Sequence, residues 1–186
     1  MDWVHTSTKD LTQIKENFIR HARLQGSNDN NWVIDLGFCR YYFDADSWER
    51  ARNAGNTFQR MLELTNAKTF LCLTAIGQEV DTIHISSLWR PWGGTVHPAG
   101  YGIDISILGD YAMYREKRQP EPVGLDKIRN AIWKTGLLQQ WIGPYKMRGI
   151  NIAGHWVENT ARYQDDKNAP ALHAQHVNHV HITVKG

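Results

Sequence analysis

Residues 176–184 read HVNHVHITV, and the period of this stretch decides how the chain is built around it. From Asn178 to Val184 apolar and polar residues alternate, the pattern of a half-buried strand. Successive side chains of a strand point to opposite faces. Val180, Ile182 and Val184 therefore face the core, and His179 and His181 share the other face. His176 lies just before the strand and can lean over the same place. Two imidazoles on one face can converge on one small object, and neutral imidazole is the commonest nitrogen ligand of divalent transition metals.

A second cluster lies upstream. VHPAGYGID (residues 96–104) holds His97 and Asp104 with Gly100 and Gly102 between them. Glycine lets the chain turn tightly and approach another group closely. Asp104 stands in the strand-like segment GIDISIL, where alternation turns Ile103, Ile105 and Ile107 one way and Asp104 the other. A carboxylate on a strand whose other face is apolar needs a purpose or a partner.

Working outward, Thr8 to Leu24 reads as an amphipathic helix with Thr8 as N-cap and Leu11, Ile14, Phe18 and Ile19 on one face. GSNDNN (26–31) is a loop, and residues 31–43 are strand-like. A second helix is expected from Ser47 to Asn66. KTFLCLTAI (68–76) and DTIHISSL (81–88) read as strands joined by GQEV. After the glycine-rich loop 91–102 and GIDISIL, residues 123–141 read as a third helix and 150–175 as a loop. Helices come first and strands later, which predicts an α+β fold with a small, mostly antiparallel sheet flanked by helices.

The composition excludes several classes. A net charge of +2 gives no electrostatic case for nucleic acid or an anionic membrane surface. No run of apolar residues is long enough for a membrane span. The N-terminus lacks a basic region followed by an apolar one, so no secretory signal is expected there. Cys39 and Cys72 form no CxxC, which removes a thiolate metal site. Eight tryptophans are many for 186 residues, and Trp89 and Trp92 in LWRPWGG suit the wall of a cleft as well as a core.

H-x2-G-x-G-x-D, followed far downstream by H-x2-H-x-H, resembles the LAS-type zinc peptidases of bacterial cell walls. That group, peptidase M15-like, includes D-Ala-D-Ala carboxypeptidases, penicillin-insensitive murein endopeptidases and phage endolysins. Its pattern is commonly S-x-H-x2-G-x-A-x-D; here Thr95 stands at the serine and Gly102 at the alanine. The resemblance covers residues 83–107 and 176–184. It implies a Zn2+ site of His97, Asp104 and His181, with a fourth position left for water. His179 and His176 would be the catalytic pair beside it, handling the water's proton or the tetrahedral oxyanion. Ser87 and Arg90 in SSLWRP match the group's upstream arginine pattern, so Arg90 would bind a substrate carboxylate or carbonyl.

At 186 residues the chain reads as one domain, with about residues 1–66 a mainly helical N-terminal part and 67–186 the core, which the resemblance implies to be the catalytic part of a peptidase. The substrate would be peptidoglycan stem peptides or cross-links. Such a chain would be made in the cytoplasm and act in the periplasm or wall after release or delivery. It would serve as a phage endolysin or as an antibacterial effector with an immunity protein as partner. His155 could line the cleft, whereas His5, His21 and His173 have no context of their own.

A different resemblance competes. His84-Ile-Ser86 and His181-Ile-Thr183 share the form His-apolar-Ser/Thr, which is similar to the metal-independent 2H phosphoesterases. That reading uses His84 and leaves His97, Asp104, His176 and His179 without a role. A metal-binding or wall-binding module without activity is the third class.

Overall fold

The computed structural model describes residues 7–25, 30–92, 94–113, 122–144, 147–150, 156–159, 176 and 178–186. Helix α1, Thr8–His21, starts at Ser7 rather than Thr8: the Ser7 hydroxyl accepts from the Asp10 N–H, and the Asp10 carboxylate accepts from the Ser7 N–H. Phe18, on its buried face, packs against Tyr41 and Phe70. The helix is shorter than its periodicity predicts because Ala22–Leu24 leave it to form strand β1 against β2, Trp32–Asp35. β2 pairs with β3, Arg40–Phe43, as an antiparallel hairpin. The first 66 residues therefore contain three strands of the sheet beside their helices.

The single helix expected over 47–66 is three shorter pieces. A 3-10 turn, Ala45–Trp48, leads into α2, Glu49–Asn53. Thr57 then caps a new helix, α3, Phe58–Leu64. KTFLCLTAI is not a strand. It lies in helix α4, Ala67–Gly77, whose first turn is capped by the Asn66 side chain. Phe70, Leu71, Cys72, Leu73, Ala75 and Ile76 are all buried there, so the helix shows no polar face. A helix buried on every side gives the same apolar run as a buried strand.

Strands β4, Thr82–Ser87, and β5, Gly102–Leu108, form where the alternation predicts. Two-residue β6, Tyr111–Ala112, folds back on β5. The helix expected over 123–141 is α5, Leu125–Lys134, and its expected tail is strand β7, Leu138–Ile142. The chain turns at Thr135, whose hydroxyl accepts from the Leu137 N–H. β8, Met147–Ile150, and β9, Trp156–Asn159, extend the sheet. The closing strand β10, Val180–Val184, is inserted between β5 and β7.

The fold is α+β. Its sheet is larger than the small one expected, since ten strands join it among the described residues, and it is mixed: β3 and β4 pair in parallel and the other pairings are antiparallel. Ile83, Ile85, Ile103, Ile105, Val180 and Ile182 are essentially inaccessible in one core with residues of α1, α4 and α5. Burying one such side chain is worth about 1.5–3 kcal/mol. A one-residue slip of β10 would expose Val180, Ile182 and Val184 together, at about 5–9 kcal/mol. That cost fixes the register, and the register sets His181 directly opposite Asp104.

Candidate metal centre

Three elements meet at the site. Asp104 on β5 and His181 on β10 are cross-strand partners, and the side chains of such pairs touch. His97 comes from the loop before β5. That loop is tied down at Gly100, whose carbonyl accepts from the Asn66 N–H at 3.0 Å and the Thr69 hydroxyl at 2.7 Å. Gly100 has φ +80, and a Cβ there would lie 2.7 Å from backbone atoms of Leu64 and Asn66, so only glycine fits. The Trp89 indole N–H adds a bond to the Pro98 carbonyl at 3.0 Å. Gly102 lets the His97 ring lie on the strand itself; an added Cβ would be 2.7 Å from the ring.

The candidate ligand atoms of His97, Asp104 and His181 all lie within 4.8 Å of one another. His97 Nε2 is 3.2 Å from Asp104 Oδ2, and His181 Nδ1 is 2.6 Å from Asp104 Oδ1. His97 is 1% exposed and Asp104 6%. Burial by itself would raise the Asp104 carboxyl, but the imidazoles of His181 and His97 beside it outweigh that and hold the group far below the usual carboxylate range. The site therefore keeps a negative charge in a dry place.

The His97 tautomer follows from its other nitrogen. Nδ1 lies 2.6 Å from the Leu88 carbonyl oxygen, which can only accept, so Nδ1 carries the hydrogen. Nε2 is then the ring atom that faces Asp104, 3.2 Å from its Oδ2. It is buried without a hydrogen-bond partner. In the neutral ring its lone pair facing a carboxylate oxygen in a dry site is repulsive unless a cation lies between them. The three residues can hold a metal ion, and a ligating histidine anchored through its second nitrogen is how such sites are oriented.

Around this group lies a cleft of about 410 Å³, lined by Asp104, Arg90, His179, Asn178 and Ser87 on one side and by residues 46–51 on the other. Arg90 Nη2 is 3.5 Å from Asp104 Oδ2, and its Nε is buried without a partner. The His179 ring is tilted against that of His176 with centroids 4.8 Å apart, and the His176 and His181 ring centroids are 5.6 Å apart. Burial pushes the His179 imidazole below its ordinary range, Asp104 pulls it back, and the neighbouring histidines add to the push. His179 Nδ1 lies 2.8 Å from Asn178 Oδ1, so Nδ1 donates and Nε2 is left as the acceptor.

All six residues singled out in the sequence come to this one place. Trp89 lines the cleft, while Trp92 is half exposed outside it. Thr95 is exposed in a turn. His21 is bound to the Asn17 carbonyl at the end of α1. His5, His155 and His173 lie outside the described residues. His84 stacks on Tyr42, paired opposite Ile107, three positions along β5 from Asp104 and two strands from His181. Strand geometry puts the two histidines about 14 Å apart, too far to act on one phosphate. The cleft wall at 46–51 was not foreseen. Ser47 reads as a helix cap, and nothing local shows that the turn packs against β4. No protein-family model, curated protein or solved structure matches the chain.

Proposed function

We propose that the chain is a zinc-dependent hydrolase that cuts an amide bond in peptidoglycan stem peptides or their cross-links. The observation that carries the reading is the meeting of His97, Asp104 and His181, with His97 Nε2 buried and without a hydrogen-bond partner. Two nitrogen donors and one carboxylate favour zinc over calcium or magnesium, which prefer oxygen donors throughout. Three protein ligands also leave a position open, as catalytic zinc sites do. The substrate class rests on the resemblance of H-x2-G-x-G-x-D and H-x2-H-x-H to wall peptidases.

When bound, zinc supplies a Lewis acid and lowers the pKa of the water that attacks the carbonyl. His179, neutral through burial and with Nε2 as acceptor, takes that water's proton and returns it to the departing amine. His176, buried beside it, donates toward the oxyanion. Arg90, with an underused guanidinium in the cleft, receives a carboxylate or carbonyl of the substrate. The products are one carboxylate and one amine, with no covalent enzyme intermediate.

The test is digestion of purified peptidoglycan with parallel elemental analysis. The expected result is about one zinc per chain, digestion lost on chelation and restored by zinc. Protein that takes up no zinc and releases no new amines after zinc is added would sink the reading.

A further inference from the structure

We infer that Thr183 and Gln140 are positioning residues for His181: together they fix which ring nitrogen faces Asp104. The inference rests on the proposed metal site, but the geometry behind it is independent of any metal. Thr183 lies two residues beyond His181 on β10 and so shares its face. It is only 5% exposed. Its hydroxyl lies 3.1 Å from His181 Nε2 and donates to Gln140 Oε1 at 3.4 Å. Gln140 is its directly paired neighbour on β7.

A hydroxyl has one hydrogen to give. With that hydrogen given to Gln140, Thr183 can only accept from the ring. Nε2 of His181 therefore carries a hydrogen, and Nδ1 is the atom shared with Asp104, 2.6 Å away. The arrangement repeats what the Leu88 carbonyl does for His97, with the ring nitrogens exchanged. One histidine is anchored through Nδ1 and offers Nε2, and the other is anchored through Nε2 and offers Nδ1. Both free positions point at the same carboxylate. The sequence-level reason is that Thr183 and Gln140 are polar residues in directly paired positions of β10 and β7.

The hydroxyl is separated from its shape by Thr183→Val and restored by Thr183→Ser. Zinc affinity is measured by competition with a chelating dye. Long-range 1H–15N spectra, which tell a protonated from an unprotonated ring nitrogen, are read on His181 with and without zinc. Thr183→Val is expected to weaken zinc binding about 10–100-fold, and Thr183→Ser to restore it to within a few fold. The Nε2 hydrogen should be seen in the native protein and lose its hydrogen-bonded signature in Thr183→Val. If Thr183→Val does not fold, Gln140→Leu serves in its place: it frees the hydroxyl to donate to Nε2 and should also weaken zinc and deplete the Nε2 hydrogen. An Nε2 without hydrogen in both forms of the native protein, or a folded Thr183→Val that binds zinc as the native chain does, overturns the inference. Native protein that takes up no zinc defeats the metal reading instead, and the spectra of the metal-free protein then decide the role of Thr183 alone.

Discussion

Gly102→Ala adds one methyl group at the point where the His97 ring lies on β5. The new Cβ would stand 2.7 Å from His97 Cγ and Nδ1 and 2.8 Å from Cε1. Ordinary contact begins near 3.4 Å, so ring and strand must part by about 0.7 Å. Neither gives easily. The ring is 1% exposed and held at 2.6 Å by the Leu88 carbonyl. The strand is fixed in the sheet between β4 and β10. Zinc–ligand distances tolerate only about 0.2 Å, so a shift of this size costs affinity. We expect zinc binding to weaken about 10–100-fold, or about 1.4–2.7 kcal/mol. Overpacking should cost about 1–3 kcal/mol of stability. For a chain of this length each kcal/mol lowers Tm by about 2–4 °C, giving a fall of about 2–12 °C. Gly94→Ala is the control. Unlike Gly102 it has positive φ, +83, but nothing lies within 4 Å of its Cβ position, so it should lose about 1 kcal/mol of stability and no zinc affinity. Dye competition for zinc and thermal melts of the metal-free proteins read both quantities. A Gly102→Ala protein with native affinity and native Tm would refute the packing argument.

Other outcomes follow from the same geometry. Asp104→Ala and His181→Ala should lose metal and hydrolysis together, whereas His179→Ala should keep most of the metal and lose about 10²–10⁴ in kcat; full activity in His181→Ala would show the ligand set to be misassigned. Arg90→Lys keeps the charge but not the planar fork, so KM should rise more than kcat falls, and unchanged kinetics would remove Arg90 from substrate binding. Cys39 and Cys72 are unpaired and buried, with both thiols pushed up to about 12 by burial. A colorimetric thiol reagent at pH 8 should find neither in the native protein and both in denaturant; rapid native labelling would contradict the packing around α4.

The two strands that carry the site were legible because polar residues interrupt their apolar ones with a period of two. GIDISIL and VHITV alternate, and alternation marks them as strands; past Ser106 the register shifts, so that Leu108 rather than Ile107 enters the core. Elements buried on all sides hide that information. KTFLCLTAI lacks a polar face and became a helix, and LLQQW became a strand because β10 offers it a ladder. The wall at 46–51 and the Thr183–Gln140 pair were not legible at all, since each depends on a neighbour far away in the chain.

The sequence by itself determined the chemistry on offer: two imidazoles and a carboxylate set by strand period and glycine spacing, with further histidines and an arginine nearby. Only the tertiary structure decided that they form one site. Hydrophobic burial fixes the register that sets His181 opposite Asp104, and backbone partners from Leu88 and Asn66 fix His97 beside them. Residues 77 positions apart become neighbours because the core leaves β10 no other register at comparable cost.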